Sequence, residues 1–128
     1  MPSPIVLDSS AVLAVFFHES GAEVVDAILG GTLLGTVNLA EVHERMLSRG
    51  AQVEEAWSWI EGLGCEVCPF TERQARATAE LRSITRPFGL SLGDRACLAL
   101  ALDRKATVYT TDKVWKNLSL GIQIEVIR

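Results

Sequence analysis

A chain of 128 residues and 13.9 kDa supports a single domain with one two- or three-layer core. Hydrophobic residues make up 48% and charged residues 22%, a balance that excludes a disordered chain. The formal charge of −4 argues against a globally basic nucleic-acid binder but leaves room for a local cationic rim.

Taken in order, Ile5-Val6-Leu7 is wholly apolar and predicts a short strand buried on both faces. Helices are predicted over residues 10–17 and 20–29, the second ended by Gly30-Gly31. Leu33 to Val37 is predicted as strand two. Asn38 then opens a helix through Ser48, and residues 51–61 form the next helix before Gly62 and Gly64. Cys65 to Cys68 is a third strand closed by Pro69. Thr71 caps a long helix reaching Ile84, and Arg86-Pro87-Phe88-Gly89 breaks the chain. Ser91 opens a helix through Arg104, Thr107 to Thr110 is strand four, and a short helical stretch follows Asp112. Ile122 to Ile127 alternates apolar and polar residues and predicts a less buried edge strand. Strands alternating with helices give an α/β domain with a parallel sheet covered on both faces.

Three cysteines cannot pair completely, and Cys65-x-x-Cys68 has no second pair to complete a zinc site. Buried or half-buried thiols in a reducing compartment are expected. The N-terminus has no basic leader, and no segment approaches the ~20 apolar residues of a membrane span, so a cytoplasmic location is expected.

Four acids stand at positions where chemistry gathers in such a sheet. Asp8 directly follows strand one, Asp112 lies two residues after strand four, and Glu41 sits early in the helix after strand two. All three places lie at the carboxyl edge, where ligands bind. Asp94 reaches that edge if the Ser91 helix packs antiparallel to the strand after it, a direction the pattern leaves open. Each acid also has a plain structural explanation. Asn38-x-x-Glu41 and Ser91-x-x-Asp94 read as capping boxes, and Asp8 and Asp112 as helix caps. Two contexts favour function: Asp8 interrupts an apolar run from Ile5 to Phe17, and Asp94 opens an apolar helix face with Cys97, Leu98 and Ala101. Clustered, half-buried carboxylates repel one another, and a hard divalent cation such as Mg²⁺ or Mn²⁺ relieves that conflict.

In these segments the chain resembles the PIN-domain ribonucleases, in particular the VapC-type toxins of toxin–antitoxin pairs. The resemblance rests on Val6-Leu7-Asp8-Ser9-Ser10-Ala11, Asn38-Leu39-Ala40-Glu41-Val42, Leu90-Ser91-Leu92-Gly93-Asp94-Arg95-Ala96 and Val108-Tyr109-Thr110-Thr111-Asp112, in this order. It implies a single PIN domain over residues 1–128, a three-layer α/β/α fold with a parallel sheet of about five strands, and a Ser91 helix whose N-terminus reaches the carboxyl edge. It further implies Asp8, Glu41, Asp94 and Asp112 as a catalytic quartet holding Mg²⁺ or Mn²⁺, an RNA substrate, a homodimer and a cognate antitoxin. Thr110 matches the family's hydroxyl residue near the last acid; its alternative is an ordinary strand residue. Ser9 is either a supporting hydroxyl or a helix cap.

Arg95, Lys113, Lys116 and Arg86 flank the acid segments and are candidates for the cationic approach RNA needs, or else plain surface charge. Trp57, Trp59 and Trp115 are expected in the core, and His43 at the surface. Competing functions are a catalytically inactive PIN-like module that binds RNA or protein, and a phosphatase or receiver-type domain with Asp8 as phosphoacceptor. The second class wants another acid two residues on, where this chain has Ser10.

Overall fold

The computed structural model describes residues 3–128, as a five-stranded parallel sheet in the order β3-β2-β1-β4-β5. The strands are β1 (Ile5–Leu7), β2 (Leu33–Gly35), β3 (Glu66–Cys68), β4 (Thr107–Thr110) and β5 (Ile124–Val126). β1 takes the centre, with Val6 paired to Leu33 on one side and to Val108 on the other. Its alternate residues serve opposite layers. Val6 packs with Val108, Leu98 and Trp115, whereas Leu7 packs with Val12, Val42 and Met46. Because both faces are covered, β1 has no polar position, and this is why it reads as an unbroken apolar run. The architecture is therefore α/β/α in three layers.

One outer layer holds α1 (Ser9–Phe16), α2 (Ala22–Asp26), α3 (Thr36–Ser48) and α4 (Val53–Glu61). The other holds α5 (Glu72–Glu80) and α7 (Leu92–Arg104), with a short α6 (Arg82–Thr85) and a 3-10 turn at Arg86–Phe88 between them. A second 3-10 turn, Lys113–Asn117, buries Trp115 completely against the sheet. The chain steps from β1 outward to β2 and β3, then crosses back to β4 and β5. The reversal puts a crevice at the carboxyl ends of β1 and β4, the place where open α/β sheets bind ligands.

Most boundaries differ from the sequence expectation by one to three residues, β5 for instance covering only Ile124–Val126, and three of the differences have a clear cause. β2 ends at Gly35 and α3 begins at Thr36. Thr36 and Val37 are β-branched and favour strand locally, but β3 pairs only as far as Gly35, so the chain turns there. α2 starts after Gly21 rather than at Ser20, because Gly21 stands at φ 95° and a Cβ there would collide with the Ile127 carbonyl. The long helix after Thr71 ends at Glu80, and a separate short turn leads into Pro87, which has no N–H to continue a helix. The three cysteines are free, with Cys65 half-buried and Cys68 and Cys97 buried. No helix among the described residues is long and apolar enough to cross a membrane.

Candidate metal centre

Asp8 is the first residue after β1 and the N-cap of α1, where its Oδ1 accepts from the Ala11 amide at 2.8 Å and the Ser10 hydroxyl at 2.7 Å. Its Oδ2 accepts from the Thr110 hydroxyl at 2.6 Å. The Thr110 hydroxyl accepts in turn from the Asp112 amide at 3.1 Å, so one fully buried threonine ties the end of β1 to the end of β4. Burial dominates the Asp8 carboxyl: it is 4% exposed, and its pKa is pushed up to about 6 from 3.8 despite these three hydrogen bonds.

Glu41 lies in α3, whose N-cap is Gly35 with no side-chain cap, so Asn38 and Glu41 do not form the expected capping box. Asn38, buried, donates through Nδ2 to Glu41 Oε1 at 2.9 Å and to the Gly93 carbonyl at 3.1 Å. Ser9 also donates to Glu41 Oε1. Three elements, α1, α3 and α7, thus converge on the Glu41 carboxylate. Gly93 is required for it: a Cβ at that position would overlap the carboxylate.

α7 runs with its N-terminus toward the same edge. Ser91 and Asp94 form a complete capping box, in which Asp94 Oδ2 accepts from the Ser91 amide at 2.9 Å. Burial raises the Asp94 pKa, and the neighbouring Glu41 and Asp112 carboxylates raise it further. Asp112 caps the second 3-10 turn, its Oδ1 accepting from the Val114 amide at 3.1 Å. Cys97, one turn along α7, lies buried behind the group. Burial raises its thiol pKa well above the ordinary range, and Asp8, Asp94 and Glu41 add to the effect.

Asp8, Glu41, Asp94 and Asp112 line one cleft of about 420 Å³, together with Ser9 and Ser10. Asp8, Asp94 and Asp112 also cap helices, as their sequence context suggested. The described hydrogen bonds hold one oxygen each of Glu41, Asp94 and Asp112 and leave the other open. Among the described residues, no three His, Cys, Asp or Glu side chains stand close enough together to hold a metal ion as they are placed, so an ion here would draw the cleft carboxylates inward. The donor set is all oxygen, fixed by neighbouring hydrogen bonds and arranged along a cleft wall. That suits a hydrated Mg²⁺ or Mn²⁺, which binds through few carboxylates and keeps several waters, better than a dehydrated structural ion.

The cations are not where the sequence suggested. Arg95 is 7% exposed and donates to the Thr78 carbonyl at 2.9 Å, anchoring α7 to α5, so it does not face the cleft. Lys113, Lys116 and Arg86 are exposed but do not line the cleft. Its wall carries Arg45, Arg49 and Arg128 instead. Trp59 packs against Phe16, as a core role requires, while Trp57 is 39% exposed and rests beside half-buried His43. The sequence pairs Asn38 with Glu41 as a capping box, whereas the contact runs from the Asn38 side-chain amide to the Glu41 carboxylate, and the role of Gly93 beside it was missed. Neither the side-chain contact nor the need for Gly93 is visible in the spacing, since both depend on α3 meeting α7.

Residues 5–120 match the family model described as PIN domain. No curated protein sequence matches the chain. Among solved structures, the DNA-bound VapBC of Salmonella typhimurium superposes with a TM-score of 0.72 at 18% identity, covering 96% of this chain and 97% of that one. VapC20 of Mycobacterium tuberculosis, described as a Sarcin-Ricin loop cleaving toxin, gives 0.74 at 14% identity, with 93% and 98% covered. VapBC-5 of the same organism, described as a member of the VapBC family of toxin-antitoxin systems, gives 0.65 at 24% identity, with 99% of each chain covered. Similarity at this level of identity carries the fold, and the family match carries the membership: the chain belongs to the PIN-domain family.

Proposed function

We propose that the protein is a Mg²⁺- or Mn²⁺-dependent endoribonuclease and the toxin of a toxin–antitoxin pair, acting in the cytoplasm as a homodimer held in check by an antitoxin protein. The observation that carries this reading is the convergence of Asp8, Glu41, Asp94 and Asp112 on one cleft from four separate chain segments. Helix capping explains three of these acids singly but gives no reason for their meeting. Membership in the PIN-domain family and the toxin–antitoxin structural neighbours support the same reading.

In this reading Asp8, Glu41, Asp94 and Asp112 would hold the ion between them, the last three through their open oxygens. Bound there, the ion would supply an acidified water and neutralise charge on the phosphoryl oxygens. The protein's own work is orientation. Thr110 and Ser10 fix Asp8, Asn38 and Ser9 fix Glu41, and the Ser91 cap fixes Asp94. One of the four carboxylates takes the proton of the attacking water. The exposed Lys113, Lys116 and Arg86, which lie outside the cleft lining, would add only long-range attraction for RNA in this reading.

The test is incubation of total RNA with wild type and Asp94→Asn, purified in parallel, in Mn²⁺ or in EDTA. Discrete fragments from wild type in Mn²⁺, absent in EDTA and in the variant, are expected. Equal behaviour of the two proteins overturns the nuclease reading and leaves a binding module.

A further inference from the structure

Glu41, Arg45 and Arg49 follow one another at four-residue steps along α3 and its C-cap, so they form one row, each step rising about 6 Å. All three line the cleft. The two arginines differ from the rest of the site's charges. Among the described residues neither enters an ion pair, whereas Arg128, the third cleft arginine, is engaged by Glu19 at 3.5 Å and by the Ser20 carbonyl at 3.3 Å. Arg49 is held without a counter-ion. Its guanidinium carbon lies 4.9 Å from the centre of the Phe17 ring, and Phe17 is braced edge-on by Phe16, itself braced by Trp59. A cation fixed through an aromatic face keeps its N–H donors open for a ligand and has less freedom to lose on binding.

We propose that Arg45 and Arg49 are a phosphate-binding row that carries the RNA strand along α3, with Phe17 positioning Arg49. This rests on the ribonuclease reading above and assigns the substrate contacts within it. A single carboxylate or phosphate would need one of these cations. Two at one-turn spacing, in line with an acid of the metal centre, match a repeating polyanion whose successive phosphates are about one helical turn apart. The phosphate to be cut lies at the Glu41 end, and the strand passes Arg45 and then Arg49. The outer cations Lys113 and Lys116 are secondary on this account.

Fluorescence anisotropy of a labelled single-stranded RNA oligonucleotide in EDTA, over a series of KCl concentrations, tests the row with the full chain uncoupled from cleavage. Arg45→Ala and Arg49→Ala are each expected to weaken binding about tenfold and to flatten the salt slope by about 0.7. Phe17→Leu is expected to weaken binding in the wild-type background but not in Arg49→Ala, which separates positioning from mere packing. The Lys113→Ala/Lys116→Ala pair is expected to lose about twofold or less. Mn²⁺ affinity should be unchanged in the arginine variants, showing that the metal centre is intact. Wild-type binding with unaltered affinity and slope in both arginine variants overturns the row. Failure of wild type to bind RNA at any salt, with Mn²⁺ still bound, overturns the ribonuclease reading and the row with it.

Discussion

Asp8→Asn should make the metal-free protein more stable at pH 8. The Asp8 carboxyl is buried, and its folded-state pKa is about 6 against an ordinary 3.8. The folded state thus holds a proton that the unfolded state has released, so stability falls as pH rises from about 3.8 to about 6 and is level above that. The gap corresponds to about 3 kcal/mol of destabilisation by the ionised group at pH 8. Asparagine carries no charge and keeps an oxygen to accept from the Ala11 amide and Ser10. Its amide nitrogen meets the Thr110 hydroxyl, which must turn its proton toward Ser10 Oγ, 3.4 Å away. That rearrangement costs about 1 kcal/mol. The net gain is about 2 kcal/mol, or roughly 6–10 °C in Tm for a domain of this size. Thermal and urea unfolding in EDTA at pH 8 and pH 4.5 are the assay. At pH 4.5 the wild-type carboxyl is protonated when folded, and the advantage should shrink to near zero. A given Mn²⁺ concentration at pH 8 should stabilise wild type more than the variant. A variant no more stable than wild type at pH 8, or an advantage that persists unchanged at pH 4.5, would refute the reasoning.

Mn²⁺ affinity should fall as pH drops through about 6, because Asp8 must lose its proton to act with the ion, and calorimetric titrations at pH 7.5 and 5 measure this. Gly93→Ala should displace the Glu41 carboxylate and lower Mn²⁺ affinity at least about tenfold, while Gly30→Ala, with open space around it, should leave affinity unchanged. Thr110→Val removes the donor to Asp8 and the acceptor of the Asp112 amide; a loss of about 1–3 kcal/mol in urea unfolding is expected, and Thr110→Ser should restore most of it.

Much of the site was legible in the sequence because its parts are local. β1 runs straight into Asp8, and the Ser91-x-x-Asp94 capping box starts α7 where the pattern placed it. Chain order alone brought three acids to the carboxyl edge. What was not legible depends on tertiary contact. Arg95 reads as a surface cation beside Asp94, and only the packing of α5 against α7 buries it on the Thr78 carbonyl. Arg45 and Arg49 look like ordinary helix charges until α3 is seen to run along the cleft. Thr36 and Val37 favour strand by residue type, and the register with β3 decides against them. Asn38 and Gly93 lie 55 residues apart, and their hydrogen bond exists only once α3 and α7 start at the same edge.

The claim at the centre is that the four cleft acids share a metal ion, and the direct test is a calorimetric Mn²⁺ titration of wild type beside Asp8→Asn, Glu41→Gln, Asp94→Asn and Asp112→Asn. Saturable binding by wild type, weakened at least about tenfold in each variant, is predicted. Absence of binding in wild type, or variants that bind as wild type does, would mean that the carboxylates cap helices and nothing more.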